Sequence, residues 1–323
     1  MGFSSVVYIV LPVLLLGVIL GRKYRVRKWG HCQSKRLLDG QICIVTGANS
    51  GIGKEVAKDL ATRKAKVILA CRDLESTKTA IEDIRKTVST GELIPMHLDL
   101  ASLDSVRKFA EEVLKQFPQI NILVNNAGVW CTQPQTTSDG FEIHFGINHL
   151  GHFLLTNLLL PKLKESKPCR VVTVSSGLHE RGVIELDNLN FEKSDGIPPK
   201  KGMNPAYCNS KLANALFSQE LSVRAPPVAT YAVCPGFTLT GLFRNYKPRF
   251  YQYILFTPVI YWSMRTAKQG AQTVIHCCVA EELEGETGAF YRNCERYVST
   301  ADLNPKLASD LWTASEQLVG LSA

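Results

Sequence analysis

At residues 41–53 a short apolar run, Gln41-Ile42-Cys43-Ile44-Val45-Thr46, breaks into Gly47-Ala48-Asn49-Ser50-Gly51-Ile52-Gly53. No other stretch restricts the fold as strongly. The run has the length and β-branched content of a buried strand, and the residues after it have a helical period. Between them, three glycines at G-x-x-x-G-x-G spacing allow a tight turn, because glycine tolerates φ > 0 and presents no Cβ to an approaching group. The strand-to-helix alternation then repeats. Further strands are predicted at 66–71, 93–98, 120–124, 170–175 and 229–233, with a less distinct seventh near 289–292. Helices are predicted from the glycine turn to about 63, and at 75–88, 102–117 (Ser102 as N-cap), 148–163 and 205–223. A last helix opens at Asn304-Pro305, read as N-cap and first helical residue. Such alternation predicts an α/β fold, a single doubly wound parallel sheet of about seven strands with helices on both faces. There is no internal repeat and no sign of a second domain.

Composition narrows the function classes. With 323 residues, 45% of them apolar and 20% charged, the chain is neither disordered nor short of core. The net charge of +8 suggests a nucleic-acid binder until it is mapped along the chain. Seven of the 37 Lys and Arg (Arg22, Lys23, Arg25, Arg27, Lys28, Lys35, Arg36) lie in residues 1–38, with no acid among them. From residue 39 on, 30 basic residues face 29 acidic ones. A near-neutral body lacks the basic stripe that nucleic acid requires, so no nucleic-acid partner is expected. Ten cysteines, none in a C-x-x-C pair and several inside apolar runs, read as buried reduced thiols.

Residues 6–20 are apolar apart from Tyr8, and Gly21-Arg22-Lys23-Tyr24 follows. The run is marginal for spanning a core of roughly 30 Å. It lacks the preceding basic residues and small-x-small site of a cleaved signal peptide. The expectation is an uncleaved N-terminal membrane anchor helix at 1–21, a basic juxtamembrane linker at 22–39 and a catalytic domain at 40–323. The five positive charges at 22–28 would keep the body on the cytosolic side. A cleaved signal, a buried helix, or a monotopic hairpin shaped by Pro12 are the alternatives.

The glycine turn ends where a helix begins, a geometry that lets backbone N–H groups approach a pyrophosphate. The alternative is a turn built only for close helix packing. Later motifs decide between them: Asn125-Asn126-Ala127-Gly128 after the fourth strand, Val174-Ser175-Ser176 after the fifth, then Tyr207-Cys208-Asn209-Ser210-Lys211, and Pro235-Gly236 after the sixth. With T-G-x-x-x-G-I-G they stand in the order found in the short-chain dehydrogenase/reductases, which the chain resembles from Gln41 to near its C-terminus. Asn148-His149-Leu150-Gly151-His152-Phe153 and Leu69-Ala70-Cys71-Arg72-Asp73 look most like the membrane-anchored retinol dehydrogenases of that family. The resemblance implies a Rossmann-type sheet. It also implies a dinucleotide held by Thr46, Gly47, Asn49, Ser50, Gly51, Ile52, Gly53, Asn126, Ala127, Gly128, Pro235, Gly236 and Thr240, with Tyr207 and Lys211 at the nicotinamide ribose.

An acid about twenty residues past the glycine turn normally binds the ribose hydroxyl of NAD, and Asp73 stands there. In the family the selecting acid ends the second strand, which here is Cys71, and the basic Arg72 that follows is similar to NADP-preferring members. An Arg holds a phosphate through paired charge-assisted hydrogen bonds. NADP(H) is therefore expected. Ser50 counts against it mildly, and a surface salt bridge is the other reading of Arg72. Asp99 is expected at the adenine edge, with helix capping as its alternative.

Tyr207 and Lys211 are spaced i, i+4, so on a helix they share a face. A phenol of pKa near 10 must fall by roughly three units to exchange protons near neutrality, and a nearby ammonium supplies the needed sign. By resemblance Tyr207 is the general acid/base, Lys211 lowers its pKa, Ser176 with Tyr207 binds the substrate oxygen, and Asn148 holds a water in the proton relay. Ser175 is the rival of Ser176, and Asn125 is expected to support the central strands. His144, His149 and His152 lack a ligand pattern, so no metal is expected. Retinol-dehydrogenase-like members carry an insertion similar to residues 177–206, which otherwise reads as a solvated loop. Between Arg244 and Arg265 the chain is aromatic (Phe250, Tyr251, Tyr253, Phe256, Tyr261, Trp262), and Lys247 and Arg249 add charge. This suits a lid over an apolar substrate beside a lipid surface; a helix packed on the body is the alternative.

The resemblance implies an oxidoreductase that interconverts retinol and retinal or similar lipophilic alcohols and aldehydes, with reduction as the cellular direction. A steroid or lipid-aldehyde reductase, and a non-catalytic membrane-tethered regulatory protein of the same fold, are the competing readings. The expected location is the endoplasmic reticulum membrane, facing the cytosol, with lipid droplet or mitochondrial membranes and a homodimer left open.

Overall fold

A computed structural model describes residues 3–131, 133–192, 204–239 and 261–321, with side chains for residue 13 and from residue 16 onward. Eight strands form one sheet in the order β3-β2-β1-β4-β5-β6-β7-β8. They are β1 (Ile42–Thr46), β2 (Lys66–Cys71), β3 (Glu92–His97), β4 (Ile122–Asn125), β5 (Arg170–Val174), β6 (Ala229–Cys234), β7 (Ala289–Arg292) and β8 (Glu295–Arg296). The first seven run parallel, and β1, β4 and β5 are buried at every position, as expected of strands covered on both faces. The eighth was not expected. It pairs antiparallel with β7 across Asn293 and Cys294, both left-handed at φ 59°. Such two-residue hairpin turns usually carry glycine, so the sequence gives little warning of this one.

Helices α2 (Gly51–Thr62), α3 (Leu74–Arg85) and α7 (Ala267–Val279) cover one face, burying Val56, Leu60, Ile84 and Val274 against Val45, Val67 and Val124. On the other face α4 (Leu103–Gln116), α5 (Gly151–Glu165), α6 (Pro205–Arg224) and α8 (Pro305–Leu318) enclose Phe109, Phe153, Phe217 and Trp312. Local sequence explains the helix starts. Ser102 accepts from Ser105 N at 3.3 Å to cap α4, whose buried Val106, Phe109, Ala110 and Val113 fall on one stripe. Asn204 caps α6 and Asn304 caps α8, each followed by proline in the first turn. One start differs from expectation: residues Phe145–Leu150 form a π-helix before α5, because Glu142 accepts from His144 N and Phe145 N and begins the helical path earlier.

The apolar run and the basic residues after it lie in one helix, α1 (Phe3–Arg27). Among the described residues no helix is long and apolar enough to cross a membrane, and most side chains of 6–20 fall outside them. Past α1 the chain is held along the body: Arg63 donates to the carbonyls of Ser34 and Arg36, and Leu38 is buried. No cysteine is disulfide-bonded, and nine of the ten are buried. The order of strands reverses between β1 and β4, the switch point at whose carboxyl ends open α/β sheets form their ligand crevice.

Candidate active site

The glycine turn lies at that crevice. A Cβ on Gly53 would come within 2.5 Å of Asn126 Nδ2 and the Gly47 carbonyl, so the turn closes only around glycine. Thr46 Oγ1 accepts from the N–H groups of Asn126 and Ala127, both at 2.9 Å, and Asn126 Nδ2 donates to the Thr46 carbonyl at 2.8 Å. These bonds join the turns after β1 and β4 into one unit. Thr46 is fully buried, so its hydroxyl works inside the fold. Ser50 is the N-cap of α2, yet its side chain makes no cap hydrogen bond, and Asn49 Nδ2 donates to Ser76 Oγ instead. The first N–H groups of α2 thus have no side-chain cap at Ser50, which suits a pyrophosphate. Gly128 is exposed, and a Cβ there would lie 3.3 Å from Asn148 Oδ1 and 3.5 Å from Lys211 Nζ. Its lack of a side chain keeps the approach to both open, so the residues present fit a dinucleotide.

Arg72 is exposed immediately past β2. Its neighbour Asp73 caps α3, with Oδ1 accepting from Glu75 N at 3.0 Å and Ser76 N at 3.1 Å. Asp99 is half-buried, and its carboxylate accepts from Ala101 N at 3.0 Å in the turn that leads into α4.

On the other side of the crevice α6 presents Tyr207 and Lys211, both buried. Lys211 Nζ donates to the Val174 carbonyl at 3.1 Å and lies 5.7 Å from the centre of the Tyr207 ring. The two serines after β5 are distinguished by their partners. Ser175 is buried and its hydroxyl donates to the Lys211 carbonyl at 2.6 Å, whereas half-buried Ser176 accepts from Leu178 N at 3.2 Å and lies near enough to the Tyr207 phenol to favour its ionised form. Asn148, in the π-helix, accepts from Val129 N at 2.8 Å through Oδ1, and its Nδ2 donates to Ser210 Oγ at 3.0 Å. Ser210 donates in turn to the Tyr207 carbonyl at 2.8 Å. Burial pushes the Lys211 amine down to about 8, so near neutrality it remains mainly protonated. Burial also raises the Tyr207 phenol above its usual range, and the Ser176 side chain offsets part of that rise.

Pro235 and Gly236 follow β6, with Gly236 at φ 78°, and Arg265 lies against them: Nη1 donates to the Pro235 carbonyl at 3.2 Å. Thr240, Arg244, Lys247, Arg249, Phe250, Tyr251, Tyr253, Phe256 and residues 193–202 lie outside the described residues. Tyr261 and Trp262 are described, and both meet the end of α1. The Arg22 guanidinium is 4.3 Å from the Tyr261 ring centre, and that of Arg25 is 4.1 Å from Trp262. The three histidines have separate partners: His144 pairs with Glu142 at 2.5 Å, His149 with Ser315 at 3.0 Å and His152 with Thr46 at 2.8 Å.

Several supporting residues were not singled out from sequence. Ser210 steadies Asn148, Arg265 braces Pro235, and His179 holds the Ser176 carbonyl through Nδ1 at 2.5 Å. Ser210 stands inside the Tyr207–Lys211 motif and was legible by position alone. The others act on backbone carbonyls, where a single sequence carries no signal.

Comparison with known proteins agrees with this arrangement. Residues 41–187 match the family model described as short chain dehydrogenase. The chain is 42% identical to human (Homo sapiens) retinol dehydrogenase 12 over 99% of its length and 96% of that protein's. It is 43% identical to human retinol dehydrogenase 11, over 90% of each chain. Among solved structures, an uncharacterised protein from Mycobacterium paratuberculosis superposes with a TM-score of 0.67 at 33% identity, covering 88% of this chain and 95% of that one. The chain therefore belongs to the short-chain dehydrogenase family and is an oxidoreductase acting on CH–OH groups with a nicotinamide dinucleotide.

Proposed function

We propose that this protein interconverts retinol and retinal, or closely similar lipophilic alcohols and aldehydes, with NADP(H), and reduces the aldehyde in the cell. One observation carries the reading: Ser176, Tyr207, Lys211 and Asn148 meet at one site, with Asn148 bonded through Ser210 to the Tyr207 backbone and Ser176 beside the phenol, in a chain that matches two retinol dehydrogenases over 90% or more of its length. The dinucleotide, when bound, supplies or accepts the hydride and in its oxidised form adds a positive ring. Every other part belongs to the chain. Ser176 orients the substrate oxygen, and Tyr207 gives it a proton in reduction or takes one in oxidation. The Lys211 ammonium offsets the cost of phenolate in a buried site. The Asn148–Ser210 pair holds the backbone of Tyr207 and a route for its proton.

NADP(H) is favoured over NAD(H) because Arg72 is exposed at the carboxyl end of β2 while the Asp73 carboxylate is occupied in capping α3. Asn49, Ser50 and Gly128 would line the dinucleotide, with Asp99 toward the adenine and Thr46 bracing the turn from inside the fold. Residues 1–21 would anchor the enzyme to the endoplasmic reticulum membrane with residues 40–323 on the cytosolic side. The docking of Arg22 and Arg25 on Tyr261 and Trp262 supports this reading, because it brings the end of α1 beside the segment that follows Pro235-Gly236.

The test is cofactor consumption by membranes bearing the protein, given all-trans-retinal with NADPH or NADH, beside Tyr207→Phe. NADPH-dependent turnover that disappears in the variant is expected. Turnover of other lipophilic aldehydes but not retinal would move the substrate and keep the chemistry. Binding of NADPH without turnover of any aldehyde would overturn the enzymatic reading.

A further inference from the structure

His152 lies on the first turn of α5 and is 1% exposed. Its Nδ1 is 3.1 Å from the backbone oxygen of Asn148, and its Nε2 is 2.8 Å from Thr46 Oγ1. Counting protons assigns these bonds. The Thr46 hydroxyl has two lone pairs and one hydrogen. The N–H groups of Asn126 and Ala127 fill the lone pairs, so the hydrogen remains for His152 Nε2 at 2.8 Å or for the Val124 carbonyl at 3.3 Å. The shorter bond takes it. Nε2 is then an acceptor, Nδ1 carries the ring proton, and that proton goes to the Asn148 carbonyl.

We propose that His152 is a positioning residue that ties the two sides of the active site together. Its neutral ring, protonated on Nδ1, fixes the Asn148 carbonyl to the Thr46 hydroxyl and so to the backbone turn at Asn126 and Ala127. One chain of hydrogen bonds then sets the spacing between the turns that would hold the dinucleotide and the π-helix that carries Asn148. The environment keeps the ring neutral: burial, and to a lesser degree the positive charge of Lys211, push it down to about 4. A doubly protonated ring would aim a second N–H at a hydroxyl oxygen with both lone pairs in use.

The proposal rests on the reading of Asn148 and Tyr207 as the proton-handling side, so its first test is independent of turnover. Nitrogen-15 spectra of the histidine-labelled full chain are expected to report a neutral, Nδ1-protonated His152 from about pH 5 to 9. A ring that titrates in that range, or carries its proton on Nε2, overturns the proposal. The second test compares His152→Phe with His152→Gln, whose amide offers both a donor and an acceptor. The Phe variant is expected to lose about ten-fold in NADPH affinity and in turnover per folded enzyme, and Gln to recover most of both. Combining Thr46→Val with His152→Phe should cost no more than the worse single change, since each cuts the same chain. Unchanged NADPH binding and pH–rate profile in a folded His152→Phe, or additive losses in the double variant, would overturn it. If the Phe variant does not fold, the spectrum of the unaltered protein decides. Turnover surviving in Tyr207→Phe would count against the proposed function instead and leave the tautomer unaffected.

Discussion

The Ser175 hydroxyl donates a 2.6 Å hydrogen bond to the carbonyl of Lys211, while the adjacent, half-buried Ser176 accepts from Leu178 N and lies near the phenol of Tyr207. Two neighbouring serines therefore have different surroundings, one buried and joining β5 to α6 and the other half-buried and accessible. Ser176→Ala is expected to lower kcat by about 10²–10³ with little change in stability, the cost of removing one donor from the reacting oxygen. Ser175→Ala should do the reverse, destabilising the fold by about 0.5–1.5 kcal/mol through the buried hydrogen bond it removes. Steady-state kinetics beside urea unfolding separates the two. A larger kinetic loss in Ser175→Ala would assign the serines the other way.

Arg72 should discriminate between the dinucleotides. Replacing it with Ala removes the charge-assisted bonds to a 2′-phosphate, worth about 1.5–3 kcal/mol. The expected result is an NADPH KM raised about ten- to a hundred-fold with the NADH KM nearly unchanged. Equal effects on both would assign Arg72 to the surface.

Two buried histidines predict sensitivity to acid. Burial pushes His149 down to about 3 and His152 to about 4, against 6.5 for a free imidazole. The unfolded chain takes up these protons as pH falls through 6.5, while the folded chain resists until far lower. Stability from both groups is thus complete above that pH and declines as pH falls toward about 4. The loss amounts to several kcal/mol at an order-of-magnitude level. Urea midpoints measured between about pH 4 and 7 should fall steeply in the unaltered protein and less so in His149→Gln. Parallel curves would show that His149 does not stay neutral in the folded state.

Trp312 predicts how firmly α8 is held. Its ring stacks on Phe217 of α6 at 5.6 Å and meets Phe153 of α5 edge-on at 4.8 Å. Trp312→Ala should cost about 3–5 kcal/mol, typical of deleting a buried aromatic. Guanidinium unfolding is the measurement, and a loss under about 1 kcal/mol would mean that α8 is not packed there in solution.

Apolar runs, glycine spacing and caps are local, and they make the seven parallel strands, the starts of α4, α6 and α8, and the five motifs legible in the sequence. Ser102, Asn204 and Asn304 cap helices because their short polar side chains reach the next turn, whatever the rest of the chain does. Which member of an adjacent pair is available to a ligand is not local. Asp73 is a cap and Arg72 is exposed, and Ser175 is buried and Ser176 is not, because of partners brought in by the sheet and its helices. Thr46 belongs to the glycine motif, yet tertiary packing buries its hydroxyl between β4 and α5. The π-helix at Phe145–Leu150 and the strand Glu295–Arg296 likewise depend on contacts that periodicity does not encode. A hydrogen bond between residues 106 positions apart, such as Thr46 to His152, exists only once the sheet has closed. The sequence alone determined the family, the fold and the chemistry it carries; the tertiary structure decided which side chains remain free to perform it.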